Sequence, residues 1–283
     1  MKSLSLITIF IGLFLSIIYL KAKIHLTKNE QNIVENKIEN WREENKKIIN
    51  IGAEKYLIYN LNTEKTISSK NENIASPIAS ISKIVTVATF LKTFKENKLN
   101  INDPKFAYAK SKIQKALIQS DNEDAEELGN IYRQMWSKDL LSDSNIFLAD
   151  LGIQNFKFTN LTGLDIEKNN TYEASNFLST EDLAKVFKYV FNEMPEIFEY
   201  TRFRAIKTQD GKEIAINTND DVENTYGLLI SKTGYTEKAK GNLAAIINFS
   251  PNENYLIVVL QSGKESRFTD MQKLISIIPN LEK

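Results

Sequence analysis

Ser80-Ile81-Ser82-Lys83 sets a serine and a lysine three residues apart within the stretch ASPIASISKIVT, residues 75–86. On a helix that spacing puts both side chains on one face, within reach of each other. A serine hydroxyl is a poor nucleophile until a base takes its proton. Lysine serves as that base when burial or a cationic neighbour lowers its pKa, and a helix N-terminus favours the oxyanion that forms next. Taken alone, the pair also reads as a capped helix with a surface lysine. Two further clusters share this ambiguity. Ser120-Asp121-Asn122 follows the apolar run ALIQ and reads equally well as an N-cap before a helix. Lys232-Thr233-Gly234 ends the apolar strand YGLLIS and reads as a strand edge entering a glycine turn. The same edge offers an ammonium, a hydroxyl and an open backbone along which a peptide can pair as an added strand.

What the chain lacks narrows the choice of base. Its 283 residues contain no cysteine and one histidine, His25. Thiol nucleophiles, disulfides and thiolate metal sites are excluded. A Ser-His-Asp triad has no base near the clusters, and a histidine-rich zinc site is not expected. A hydrolase built from this chain must use Lys, Asp, Glu or Tyr. With 36 basic and 36 acidic residues the formal charge is zero, which argues against a nucleic-acid partner. No cofactor and no metal are expected.

The elements that must position these residues follow from periodicity and turn chemistry. GAEKYLIYNLNTEKTISSK predicts two strands around a polar turn at Asn62 to Glu64. Pro77 to Phe94 predicts a helix with Ser76 as N-cap and Pro77 at its first position. Residues 105–152 predict helix in several pieces. Glu181 to Asn192 predicts another helix, capped by Ser179 or Thr180. FRAIKTQDGKEIAINTN predicts a hairpin around Asp210-Gly211. Gly227 to Thr233, Leu243 to Phe249 and Tyr255 to Leu260 are further strands, and Thr269 to Ile278 is a closing helix. Strands at both ends and helices between them point to an α+β fold. The simplest assembly is one antiparallel sheet drawn from the two ends, flanked by terminal helices, with a helical lobe inserted.

Ahead of this domain, Ser3 to Leu20 is uncharged and strongly apolar. Its length falls at the short end for a membrane span and is long for a signal-peptide core. The following KAK offers no small-x-small cleavage site, so an uncleaved anchor over residues 1–21 is expected, with a cleaved signal peptide as the other reading. In residues 22–50, Val34, Ile38, Trp41 and Ile48 fall on one helical stripe, as a stalk or as the first helix of a domain spanning residues 51–283.

The three clusters together carry more than each alone. SxxK, SDN and KTG in that order form the motif set of penicillin-binding proteins and class A β-lactamases. From about Lys55 to Leu274 the chain resembles the serine D-Ala-D-Ala carboxypeptidases, the low-molecular-mass penicillin-binding proteins of peptidase family S11. LGIQNFKFTNLTGLD resembles that family's segment ending in Gly-Leu-Asp, and Ser179 to Ala184 its next helix start. Asn217-Thr218-Asn219 precedes the KTG strand as it does there. KTGYTEKAKGNLA is similar to the family's KTG strand and its successor, with Lys240 as an apparent insertion before Gly241. The resemblance implies a β-lactamase/transpeptidase-like fold with a five-stranded antiparallel sheet, an all-helical lobe and the active site between them. It implies Ser80 as acyl-ester nucleophile and Lys83 as its proton acceptor. Ser120 would relay a proton to the leaving D-alanine, Asn122 would bind the substrate amide, and Lys232 would set the field near Ser120. Thr233, Gly234, Tyr235 and Arg267 would bind substrate, with Thr233 and Arg267 holding its carboxylate, and the N–H groups of Ser80 and Tyr235 would form the oxyanion hole.

The partners so implied are the peptidoglycan stem peptide, β-lactam antibiotics as covalent inhibitors, and a membrane through residues 3–20. The expected location is the bacterial cytoplasmic membrane, single-pass, with the catalytic domain outside the cytoplasm. The same machinery also serves a D,D-endopeptidase. A β-lactamase of the class A type needs a glutamate for deacylation, but no ExxLN pattern is present and Glu167 is followed by Lys168-Asn169-Asn170. A catalytically idle cell-wall scaffold is the reading from another class, and three intact motifs count against it. Ser80 and Ser120 are only forty positions apart along the chain, so a small wall of the cleft is expected to be missing.

Overall fold

Alternating apolar residues in the two end segments pair into one sheet. The computed structural model describes residues 50–207, 213–250 and 253–281. Gly52–Ile275 form one compact unit, while a second grouping joins residues 1–51 and 276–283 and lies largely outside the described residues. Lys55–Asn60 (β1) and Lys65–Lys70 (β2) make the predicted N-terminal hairpin. Its turn is held by Asn60, whose Oδ1 accepts from the N–H groups of Asn62 and Thr63, both at 2.9 Å. Leu228–Thr236 (β3), Lys240–Ser250 (β4) and Glu253–Ser262 (β5) come from the other end of the chain. The order is β2-β1-β5-β4-β3, antiparallel throughout. Lys55 lies opposite Leu260 and Asn60 opposite Tyr255, so the two ends of the chain meet at the centre of the sheet.

Between these ends runs the helical part: Ser82–Glu96 (α1), Ala107–Ile118 (α2), Asn122–Trp136 (α3), Leu140–Asp150 (α4) and Thr180–Glu193 (α5). Ser266–Leu281 (α6) closes the chain. Helix α1 buries 12 of its 15 residues, polar ones included, so it is a core helix rather than an amphipathic surface one. It packs on α2, α3, α4 and α5. An aromatic group of Phe90, Phe94, Phe106, Tyr132 and Trp136, with ring centroids 4.8–6.0 Å apart, fills the lobe. Helix α5 packs on β1 and β5 and begins with a capping box between Ser179 and Asp182. The α+β assembly is the one read from the sequence.

Three expectations need correction. Ser76 is not an N-cap. Ser76–Pro77 form a short strand that pairs with Phe177–Leu178, and Ser76 Oγ donates to Gln261 Oε1 at 3.1 Å. The helix starts later because Ala79 has φ +46°, a left-handed conformation that cannot continue a helical turn. The Lys-Thr-Gly motif lies inside β3 rather than at its end, because Asn242 to Lys240 pair with Gly234 to Thr236 and extend the strand. Lys240 itself has φ +60°, so the inserted residue is absorbed where the chain enters β4. The membrane span and the single-pass membrane location are not sustained: no helix among the described residues is long and apolar enough to cross a membrane. Residues 3–20, His25 and the stripe of Val34, Ile38, Trp41 and Ile48 lie outside the described residues, as does the Asp210-Gly211 turn. The hairpin flanking that turn is present as Ala205–Lys207 paired with Glu213–Ile216.

Candidate active site

Ser80 sits in a single 3₁₀ turn, Ala79–Ile81, that leads into α1. The left-handed Ala79 sharpens this turn, and its carbonyl accepts from Ser82 Oγ at 2.6 Å. Strand β3 comes up against the turn at Gly234. A Cβ there would lie 2.7 Å from the Ile78 carbonyl oxygen and 3.1 Å from the Ser80 nitrogen, so only glycine permits the approach.

Lys83 is fully buried. Its Nζ donates to Ser80 Oγ at 2.9 Å, Asn122 Oδ1 at 2.7 Å and the Thr162 carbonyl at 2.8 Å. Burial lowers its pKa to about 7, against the opposing negative charges of Asp121 and Glu126. Near neutral pH a large share of molecules therefore carry an uncharged amine facing a serine hydroxyl, the state a general base requires.

The loop between α2 and α3 places Ser120 at φ +61°. Asp121 caps α3 by accepting from the Asp124 N–H at 3.0 Å, and Asn122 is the first residue of that helix. The N-cap reading of this cluster thus holds for Asp121, while its two neighbours turn to the site. Lys232, also fully buried, donates to Ser120 Oγ at 2.8 Å and to the Thr233 carbonyl at 3.0 Å. Burial, then the charges of Lys83 and Arg267, hold its pKa well below the usual lysine range. Each motif serine thus has its own buried lysine.

Strand β3 is a sheet edge. On the side away from β4, the Ser231 N–H donates to Thr201 Oγ1 at 2.9 Å. The two-residue period of a strand turns the N–H groups of Thr233 and Tyr235 to that same side. Thr233 Oγ1 and Thr218 Oγ1 are 2.5 Å apart. Arg267, buried at the start of α6, donates from NH1 to the Gly234 carbonyl at 3.1 Å, and its Nε has no hydrogen-bond partner among the described residues. Burial lowers its pKa as well. The Tyr235 hydroxyl donates to Glu237 at 2.6 Å, away from this cluster. Sequence-predicted site residues from three distant segments are thus linked by direct contacts.

Several residues that shape the site were not singled out by type. Thr162 supplies a carbonyl to Lys83, and Thr218 supplies a hydroxyl to Thr233. Both lie in stretches that carry the family resemblance, next to Gly163-Leu164-Asp165 and within Asn217-Thr218-Asn219. Gly163 has φ +82°, and a Cβ on it would lie 1.9 Å from the Ala79 carbonyl oxygen. Asp165 accepts from Thr236 Oγ1 at 2.8 Å, so one short segment touches both the Ser80 turn and β3. Asn176 and Asn242 are fully buried amides. Asn242 Nδ2 donates to the Pro77 carbonyl at 3.1 Å, and its Oδ1 accepts from the Gln261 N–H at 2.9 Å. Asn242 lies within the KTGYTEKAKGNLA stretch that carries the resemblance, whereas no sequence signal marks Asn176, because an isolated asparagine in a polar run looks like loop. No group of three or more His, Cys, Asp or Glu side chains among the described residues is placed to hold a metal ion.

A family model described as D-alanyl-D-alanine carboxypeptidase, peptidase family S11, matches residues 110–264. The match contains Ser120, Asn122 and Lys232 and begins after Ser80 and Lys83. Two curated proteins are similar, both named D-alanyl-D-alanine endopeptidase. That of Escherichia coli (strain K12) is 26% identical over 241 residues, 77% of this chain and 74% of the relative. That of Haemophilus influenzae is 25% identical over 217 residues, 69% and 70% respectively. Among solved structures, penicillin-binding protein D2 from Listeria monocytogenes, in its cefotaxime-bound form, superposes with a TM-score of 0.69 at 23% identity, covering 83% of this chain and 99% of that one. The PBP3 structure from Streptococcus pneumoniae gives 0.69 at 22%, covering 82% and 72%. Similarity at this level establishes a shared fold.

Proposed function

Because the chain belongs to peptidase family S11, the D-alanyl-D-alanine carboxypeptidase family, we propose that it is a serine D,D-carboxypeptidase acting on the pentapeptide stems of peptidoglycan. Ser80 Oγ attacks the carbonyl carbon between the two terminal D-alanines while its proton passes to the Lys83 amine. The oxyanion is held by the N–H groups of Ser80 and Tyr235; such a donor typically contributes about 3–4 kcal/mol of transition-state stabilisation. As the C–N bond breaks, Ser120 relays a proton to the departing D-alanine amine. Lys232 supports this transfer by donating to Ser120 Oγ at 2.8 Å, which holds the relaying hydroxyl in place. Water then hydrolyses the Ser80 ester. Asn122 binds the substrate amide, while Thr233 and Arg267 receive the terminal carboxylate, which would supply an acceptor to the Arg267 guanidinium.

One observation carries this reading: a buried lysine with a pKa of about 7 donates to a serine hydroxyl 2.9 Å away, at the start of a helix. A second reading, a D,D-endopeptidase that cuts cross-links by the same chemistry, is favoured by the names of the two curated relatives. β-Lactams, which the Listeria protein holds in its cefotaxime- and ampicillin-bound forms, would acylate Ser80 in either case.

The test is incubation with a fluorescent penicillin. A stable adduct in the wild type that disappears in Ser80→Ala supports the acyl-enzyme. No adduct and no turnover would sink it, and rapid turnover would favour a β-lactamase. Release of D-alanine from a pentapeptide, set against cleavage of a cross-linked dimer, then separates carboxypeptidase from endopeptidase.

A further inference from the structure

Ser82, the middle serine of the first motif, has no part in the chemistry above, yet it is fully buried beside it. Its hydroxyl donates to the Ala79 carbonyl at 2.6 Å and accepts from Asn176 Nδ2 at 2.9 Å. Asn176, also fully buried, uses its polar atoms in two directions. Toward the nucleophile turn, its Nδ2 reaches Ser82 and its backbone carbonyl accepts from the Ile78 N–H at 3.0 Å. Toward the loop over Lys83, Nδ2 donates to the Asn160 carbonyl at 2.8 Å and Oδ1 accepts from the Thr159 N–H at 2.7 Å. Asn160 Oδ1 in turn accepts from the N–H groups of Gly163 at 2.6 Å and Thr162 at 3.2 Å. Those bonds fix the peptide whose carbonyl, that of Thr162, accepts from Lys83.

We propose that Ser82 and Asn176 are positioning residues, a buried clamp that sets the Ser80 turn and the Thr162 carbonyl together on either side of the Lys83 amine. The inference rests on the roles given above to Ser80 and Lys83. A left-handed alanine persists only where its surroundings over-determine it, and the Ser82 hydroxyl supplies that constraint at Ala79. A buried polar network holds one arrangement when fully satisfied and loses it when one member is removed. Deleting the Ser82 hydroxyl strips partners from both Ala79 and Asn176. The turn then relaxes, and the Thr162 carbonyl is no longer held against Lys83. The titratable groups coupled to Lys83 are Asp121, the N-cap of α3, Glu126 within α3 and Lys232 from β3. None of them belongs to the clamp, so a change in Lys83 titration reports the clamp.

The measurement is the second-order rate of acylation by a fluorescent penicillin across pH, on the full chain, for wild type, Ser82→Ala, Ser82→Thr and Asn176→Gly. The last retains a residue suited to the φ of +50° at that position. In Ser82→Ala and Asn176→Gly the optimum rate should fall about 10–100-fold, the usual penalty for a misplaced nucleophile. The acid limb should move to lower pH, because loss of an acceptor disfavours the ammonium form of Lys83. Ser82→Thr, which keeps the hydroxyl, should restore the wild-type limb. A limb that stays in place, or moves to higher pH, in whichever of the two variants folds by circular dichroism overturns the clamp, even if the rate drops. Ser80→Ala is run alongside. An adduct that survives there refutes the acyl-enzyme reading itself, whereas its loss there with unmoved limbs refutes the clamp alone.

Discussion

Lys83 costs the folded state free energy that a hydrophobic residue would not. Its pKa near 7 when folded, against 10.5 for an ordinary lysine, means that folding must either release its proton or bury its charge. Below pH 7 both states hold the proton and the full penalty applies, on the order of 5 kcal/mol. Between pH 7 and 10.5 the unfolded chain binds more protons, so the stability contribution rises with pH. Chemical denaturation at pH 7 and pH 9 should show this group adding about 2 kcal/mol over that interval. Lys83→Met should abolish acylation, melt no lower than wild type at pH 7 and lose that part of the pH slope. A variant that melts much lower, or keeps the slope, would place the lysine in a structural role. The pair became legible only with its two partner motifs, since the lack of a usable histidine left Lys, Asp, Glu and Tyr all open as the proposed base. The depth of its burial was not legible, because it depends on Asn122 and Thr162, 39 and 79 residues away.

At the scale of elements, local signals located the strands and helices, and tertiary contacts decided where they begin. Ser76-Pro77 has the residue types of a helix start, yet it pairs with Phe177–Leu178, and the helix is delayed until the chain passes Ala79. The Lys-Thr-Gly triplet looked like a strand end because glycine usually marks a turn. Here Gly234 is in mid-strand because it lies against Ile78 and Ser80. The glycines that matter to the site are therefore those facing backbone, and two positive-φ glycines provide a controlled comparison. Gly152 has φ +72° and open space within 4 Å of where a Cβ would stand, while at Gly163, with φ +82°, a Cβ would meet the Ala79 carbonyl oxygen at 1.9 Å. Gly152→Ala should cost about 1 kcal/mol, the conformational penalty alone, and acylate normally. Gly163→Ala should cost more than about 3 kcal/mol and lose acylation, since backbone must move to relieve the contact. Equal losses in thermal unfolding and in acylation would show that the close approach at Gly163 has no bearing on the site.

At the scale of the whole molecule, the sheet closes only when β1 meets β5, a pairing of Lys55 with Leu260 that spans most of the chain. The site has the same character. Ser80 and Lys83 come from the start of the domain, Ser120, Asn122 and Thr162 from its middle, and Lys232 and Arg267 from the last strands and helix. In the proposed acyl-enzyme, a substrate or inhibitor joined to Ser80 would rest against β3 and the Ser120 loop at once, adding links between segments that the chain joins only at a distance. An acyl group tethered to Ser80 reaches its other contacts at high effective concentration, and those contacts exist only in the folded state. Amide hydrogen exchange should therefore slow in three separated places after penicillin treatment: the start of α1, the Ser120 loop and β3 from Ser231 to Thr236. The exposed hairpin Ile166–Lys168 and Thr171–Glu173 should exchange fast in both states, and β1 and β5, paired on both sides, slowly in both. The melting temperature should rise with the adduct, and Ser80→Ala should show neither change. Protection confined to α1, with β3 unaffected, would mean that the acyl group does not lie along the strand edge, and the assignment of Thr233, Tyr235 and Arg267 to substrate binding would fall with it.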